Sequence, residues 1–214
     1  MIVNYWILPI ALLLLWLPRQ WLRFGGKVIK VAQPRRRDRG DGLTRDESVK
    51  AREEFSKPRN WVDLLRAAAG SVAVGYACFE PGPDAARSVG TQIFVVEALI
   101  LIIAVLIQTV RIEGKLSLTA PIFFLLGLSF GVIGWKAALF ACVAIWIVNL
   151  VLPGSGIFLF VFAGLEICFG ILLSRLPVRD AVLAALLTIL PVIFSAALKR
   201  RLVRLSRKTR SVRV

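Results

Sequence analysis

Residues 116–152 form a run of 37 residues that holds one charge, Lys136. As a single helix this run would be about 55 Å long at 1.5 Å per residue, well beyond the ~30 Å hydrocarbon core of a bilayer. Gly134, Trp135 and Lys136 form the polar break near its middle. The run therefore reads as a hairpin of two membrane helices, 116–134 and 137–152. Pro153-Gly154-Ser155-Gly156 supplies the next turn.

Five more apolar stretches have the length of a membrane crossing: 2–17, 61–79, 91–110, 157–173 and 181–198. Such a chain must reconcile 57% hydrophobic residues with a net charge of +15. It does so by segregation, with long uncharged runs alternating with short Arg/Lys-rich blocks, the pattern of a polytopic helical membrane protein. The expected fold is all-α with seven transmembrane helices. Six stand on hydropathy. The second, 61–79, contains Asp63 and Arg66, and an interfacial helix is the alternative reading there. Asn60 and Asp63 resemble a capping pair at its start, with Asp63 and Arg66 snorkelling to the interface.

Charge sets the orientation. The 18–60 loop holds 13 Lys/Arg against 6 acids, and the 199–214 tail holds 8 basic residues and no acid. Positive segments stay on the cytoplasmic side. Segment 2–17 has its positive charges after it and no small-residue cleavage site, so it reads as an uncleaved anchor with its N-terminus outside. Seven crossings then place both basic blocks inside, whereas six would strand one of them outside. The expected organisation is an anchor (1–17), a basic cytoplasmic loop (18–60), a six-helix membrane bundle (61–198) and a basic cytoplasmic tail (199–214). The setting that suits it is a bacterial inner membrane.

Within the 18–60 loop, Trp21, Leu22, Phe24 and Val28 are interspersed with Arg19, Arg23, Lys27 and Lys30, a mixture suited to the membrane interface. Thr44 to Glu47 has the spacing of a capping box and opens a short charged helix to about Phe55. The tail places Lys199, Arg200, Arg201 and Arg204 beside Leu202, Val203 and Leu205, as a surface helix would. These basic residues are candidates for contact with anionic lipid headgroups, each adding about 1 kcal/mol near the surface. Topology determination with no partner is the first reading of these blocks, and headgroup contact the next. Nucleic acid is not expected, since the chain shows no binding fold or stacking platform.

The chain has no His. This excludes His-dependent metalloprotease motifs and Ser-His or Cys-His nucleophile pairs. Cys78, Cys142 and Cys168 lie in apolar runs with no CxxC spacing. No catalytic, cofactor or metal site is expected. Glu97 and Glu166 are the notable polar residues, because an ionisable group inside a span is a functional-site hypothesis by default. They read either as interhelical hydrogen-bond donors or as a shared proton or cation site. Gln108, Asn149, Thr188 and Ser195 could add polar atoms. Gly127 and Gly131, with Gly134 beyond them, form a GxxxG surface for close helix approach. Two functions remain: a non-enzymatic scaffold, assembly factor or accessory subunit, with a membrane-protein partner or a second copy; or a small proton- or cation-coupled carrier or channel using Glu97 and Glu166.

Overall fold

The computed structural model describes residues 2–18, 49, 54–80, 87–113, 115–152, 154–174, 176–198 and 202–203. Among them are seven α-helices: α1 Ile7–Trp16, α2 Pro58–Ala73, α3 Arg87–Thr109, α4 Ile122–Val132, α5 Trp135–Val148, α6 Ser155–Leu173 and α7 Val178–Ala197. A π-helical turn, Val74–Cys78, prolongs α2. The interfacial stretch, the capping box and the basic residues of the tail lie outside the described residues.

Each expected apolar segment contains a helix, but the lengths differ from expectation. Three helices are long and apolar enough to cross a membrane: Ser88–Thr109, Ser155–Leu173 and Val178–Ala197. The others are shorter. At 1.5 Å per residue α1 spans about 15 Å, α4 about 16 Å and α5 about 21 Å. Segment 116–134 is not one helix. Its first residues join β4, Lys115–Thr119, which pairs antiparallel with β3, Val110–Glu113. A two-residue strand of the tail, β5 Leu202–Val203, adds to β4 in parallel, so Leu202 and Val203 are in a strand and not in the expected surface helix. Ile2–Val3 (β1) likewise pairs antiparallel with Phe79–Glu80 (β2). The all-α expectation is corrected at these short ribbons.

The start of α2 also differs from expectation. Its N-cap is Lys57, with Pro58 in the first turn, where proline is favoured because its missing N–H would be unpaired anyway. Asn60 is no cap. Its Nδ2 donates to the Glu54 carbonyl at 2.9 Å and to Glu54 Oε2 at 2.7 Å.

Helix α4 is the central element. Nine of its eleven residues are buried, as expected of a helix that is apolar all round. It packs most extensively on α2 and also meets α5 and α7. The α2–α4 contact is glycine-mediated. A Cβ at Gly127 would strike the Leu64 carbonyl and lie 2.8 Å from Ala67 Cβ, and one at Gly131 would strike the Ser71 backbone. Because 127 faces 64–68 and 131 faces 71, α2 and α4 run parallel. Gly134 does not share this role. Nothing lies within 4 Å of its Cβ direction, and its φ of +82° marks it as the turn into α5. Two further glycines mediate close approach: Gly70 of α2 against Leu15 of α1, and Gly170 of α6 against Ala181 of α7, with 2.7 Å to the nearest atom in each case.

Two pairs of successive helices show opposite directions. Val3 faces Phe79 and Leu15 faces Gly70, so α1 and α2 are antiparallel. Phe140 stacks on Phe169 and Trp146 meets Phe158, so α5 and α6 are antiparallel. At one end Phe55, Trp61, Phe123, Trp146 and Phe158 form an aromatic cluster, with Trp146 at 4.7 Å from Phe55. Asn149 Nδ2 donates to the Val49 carbonyl at 2.6 Å near the same end. The Leu17 carbonyl accepts from Gln108, the Gln108 carbonyl accepts from Thr119 Oγ1 at 3.3 Å, and Thr119 pairs with Val203, so the end of α1 and strand β5 lie at one end of the bundle.

The outer surface is strongly apolar. Val62, Leu65 and Val72 of α2, Leu99 and Ile103 of α3, and Leu186 and Ile193 of α7 are exposed. The buried set includes Asp63, Arg66, Gln108, Asn149, Glu166 and Thr188. Polar groups inside and apolar groups outside is the arrangement a lipid solvent favours.

Candidate functional site: buried polar groups between the helices

Glu166, nearly enclosed at 1% exposure, sits on α6 between α4 and α7. Ser129 Oγ of α4 is hydrogen-bonded to its Oε1 and also lies 3.1 Å from the Leu125 carbonyl. Thr188 of α7 stands beside the same carboxyl. Leu125, Leu128, Val132, Ala184 and Leu187 close the space around it. Oε2 has no hydrogen-bond partner among the described residues.

Glu97 lies elsewhere. It is half-buried on α3, and its charged neighbours are Asp180 and Arg179 in the first turn of α7. Arg179 Nε is 3.7 Å from Asp180 Oδ1, and its guanidinium lies 4.7 Å over the Phe94 ring. Helix α7 begins at Val178, three residues before the expected 181, and so carries Arg179 and Asp180 near Glu97.

The structure does not bring the two glutamates together. Helix α7 packs on both α3 and α6, but it meets Glu97 at Asp180 and Glu166 at Thr188. Eight residues along a helix separate these levels by about 12 Å.

A second buried group was not legible in the sequence. Asp63 and Arg66 do not snorkel. They are 2% and 7% exposed, and Arg66 Nε donates to Asp63 Oδ1 at 3.0 Å. Arg66 Nη1 also donates to the Leu17 carbonyl, and the guanidinium lies 5.3 Å over the Phe124 ring. Gln108 Nε2 of α3 donates to the carbonyls of Leu15 and Leu17, at 3.2 and 2.9 Å. Two side chains from two other helices thus satisfy carbonyls that the end of α1 leaves without intrahelical donors. The available signal was spacing: Asp63 and Arg66 are three apart and share a helix face, the face that carries Ala67 and Gly70 into the packing.

Of the other candidates, Asn149 is spent on Val49 and Gln108 on α1, whereas Thr188 joins Glu166. Ser195 is half-buried near the end of α7. The described residues contain no group of three or more His, Cys, Asp or Glu side chains placed to hold a metal ion. No protein-family model, curated protein or solved structure matches this chain.

Proposed function

We propose that this chain is a non-enzymatic integral membrane component, a scaffold, assembly factor or accessory subunit, that holds two basic segments against an anionic membrane surface. In this reading all seven helices cross the bilayer, with the N-terminus outside and the C-terminus inside, in a bacterial inner membrane. The observation that carries it is the common end of the bundle at which Leu17 and β5, the described residues next to the two basic segments, lie. The antiparallel α1–α2 and α5–α6 pairs and the parallel α2–α4 pair support alternating crossings. The short helices α1 and α4 are compatible with it because protein encloses α4 and meets the C-terminal end of α1. Helix α4 is enclosed, and the terminal carbonyls of α1 are bonded by Arg66 and Gln108, as backbone at membrane depth requires. Membrane-protein partners or a second copy would use the exposed apolar faces. A carrier that uses Glu97 and Glu166 as one site loses support from their separation.

Native mass spectrometry of the full-length protein tests this reading. Replacing Lys199, Arg200, Arg201 and Arg204 by Gln should reduce retention of anionic lipid. Retention in the unmodified protein should fall as salt rises, because counter-ions screen exposed charges over about a 10 Å length at 0.1 M. Equal retention of neutral and anionic lipids contradicts it.

A further inference from the structure

Ser129 has one hydroxyl proton and two oxygens within reach, the Leu125 carbonyl and Glu166 Oε1. A carbonyl only accepts. When Ser129 donates to Leu125, the contact with Glu166 can be a hydrogen bond only if the proton comes from the carboxyl. If Glu166 were ionised, Ser129 would have to release Leu125. The charge would then sit among Leu125, Leu128, Val132, Ala184 and Leu187. A carboxylate has about four acceptor positions. Here the donors beside it are two hydroxyls, Ser129 and Thr188, and Oε2 has no hydrogen-bond partner among the described residues. No Lys or Arg among the described residues lines this space. A neutral carboxylic acid meets these conditions, since its proton supplies the missing donor and Oε2 becomes an uncharged carbonyl.

We infer that Glu166 is a proton-binding site, a carboxylic acid that donates to Ser129 Oγ while Ser129 donates to Leu125, so that one bound proton latches α6 to α4. The ligand is the proton itself. Direct contact between the carboxyl and the hydroxyl leaves no room for a metal cation between them. Deprotonation turns the donor into an acceptor and forces Ser129 to switch partners. The latch lies on α4, the helix that contacts α2, α5 and α7, so the switch acts at the centre of the bundle. The groups facing Glu166 from α4 and α7 are hydroxyls. Glu97, Asp180 and Arg179 are grouped about 12 Å away along α7. The inference stands independently of the scaffold reading.

The test is infrared spectroscopy of the full-length protein in lipid vesicles, with glutamate carboxyls labelled with carbon-13. At pH 7 a labelled neutral-carboxyl C=O band should be present, and it should vanish in Glu166→Gln. The same band should move to higher frequency in Ser129→Ala, where the acid loses its acceptor. The serine variant leaves the carboxyl intact and decides the question if the glutamine variant does not fold: a band that moves supports the site, and a band that stays overturns it. A carboxylate band at pH 7 that disappears in Glu166→Gln also overturns it. So does a neutral band that appears only when sodium is withdrawn at constant pH, which would identify a cation site.

Discussion

At the scale of single residues, the bundle depends on a few side chains whose environment inverts the usual rule for charge. Arg66 joins Asp63, the Leu17 carbonyl and the Phe124 ring at once. Replacing Arg66 by Met takes from buried Asp63 the ion pair that Arg66 Nε makes with it. Removing one partner of such a pair costs about 3–5 kcal/mol, whereas replacing both by apolar residues of similar volume is often close to neutral. Thermal unfolding in detergent should therefore show Arg66→Met as markedly less stable than Asp63→Leu combined with Arg66→Met. Equal losses would show that the pair is not coupled. The glycines make a parallel prediction. Gly131→Ala drives a methyl into the Ser71 backbone, and such overpacking costs about 1–3 kcal/mol. Gly134→Ala meets no neighbour but must hold φ +82° with ψ 154°, a conformation essentially reserved for glycine, at about 1–3 kcal/mol. Gly131→Ala should therefore also separate α2 from α4, visible as lower crosslinking between cysteines placed on those helices. Gly134→Ala should leave that crosslinking unchanged. The GxxxG spacing revealed Gly127 and Gly131 because a four-residue interval places them on one face. It could not distinguish Gly134, since position along a pattern does not tell a packing glycine from a turning one.

At the scale of elements, each apolar run contains its helix, because a run of this composition has no better way to satisfy its backbone. The ends of the helices were less legible. Val110-Arg-Ile-Glu and Lys115-Leu-Ser-Leu-Thr both alternate with the period of a strand, and Gly114 separates them. Yet Leu116 and Leu118 also continue the apolar composition of the following helix, so the run appeared uninterrupted. Length was misleading at α1 too, where β1 occupies residues counted as helix. Helix α1 ends where Gln108 and Arg66 receive its carbonyls. Gln108→Leu should leave part of that end unsatisfied, at about 1–3 kcal/mol per stranded group. Hydrogen exchange should then accelerate in the last turn of α1 before it does in α4. Unchanged exchange there would show that Gln108 is dispensable for holding the end.

At the scale of the whole molecule, 28 Lys and Arg against 13 acids are distributed unevenly along the chain, and Leu17 and β5, described residues close to the two richest blocks, lie at one end of the bundle. The separation of Glu97 from Glu166 belongs to this scale. Each carboxyl was visible as an intramembrane acid, but which helices are neighbours depends on the packing of α7 between α3 and α6, and hydropathy carries no record of that. The central claim is a seven-helix membrane bundle with both basic segments on one side. Its most direct measurement is a set of topology reporters inserted at Arg45, Asp84 and Arg210 of the full-length chain. The account predicts inside, outside and inside. An inside signal at Asp84 would remove the second crossing, and signals on opposite sides for Arg45 and Arg210 would contradict the account altogether.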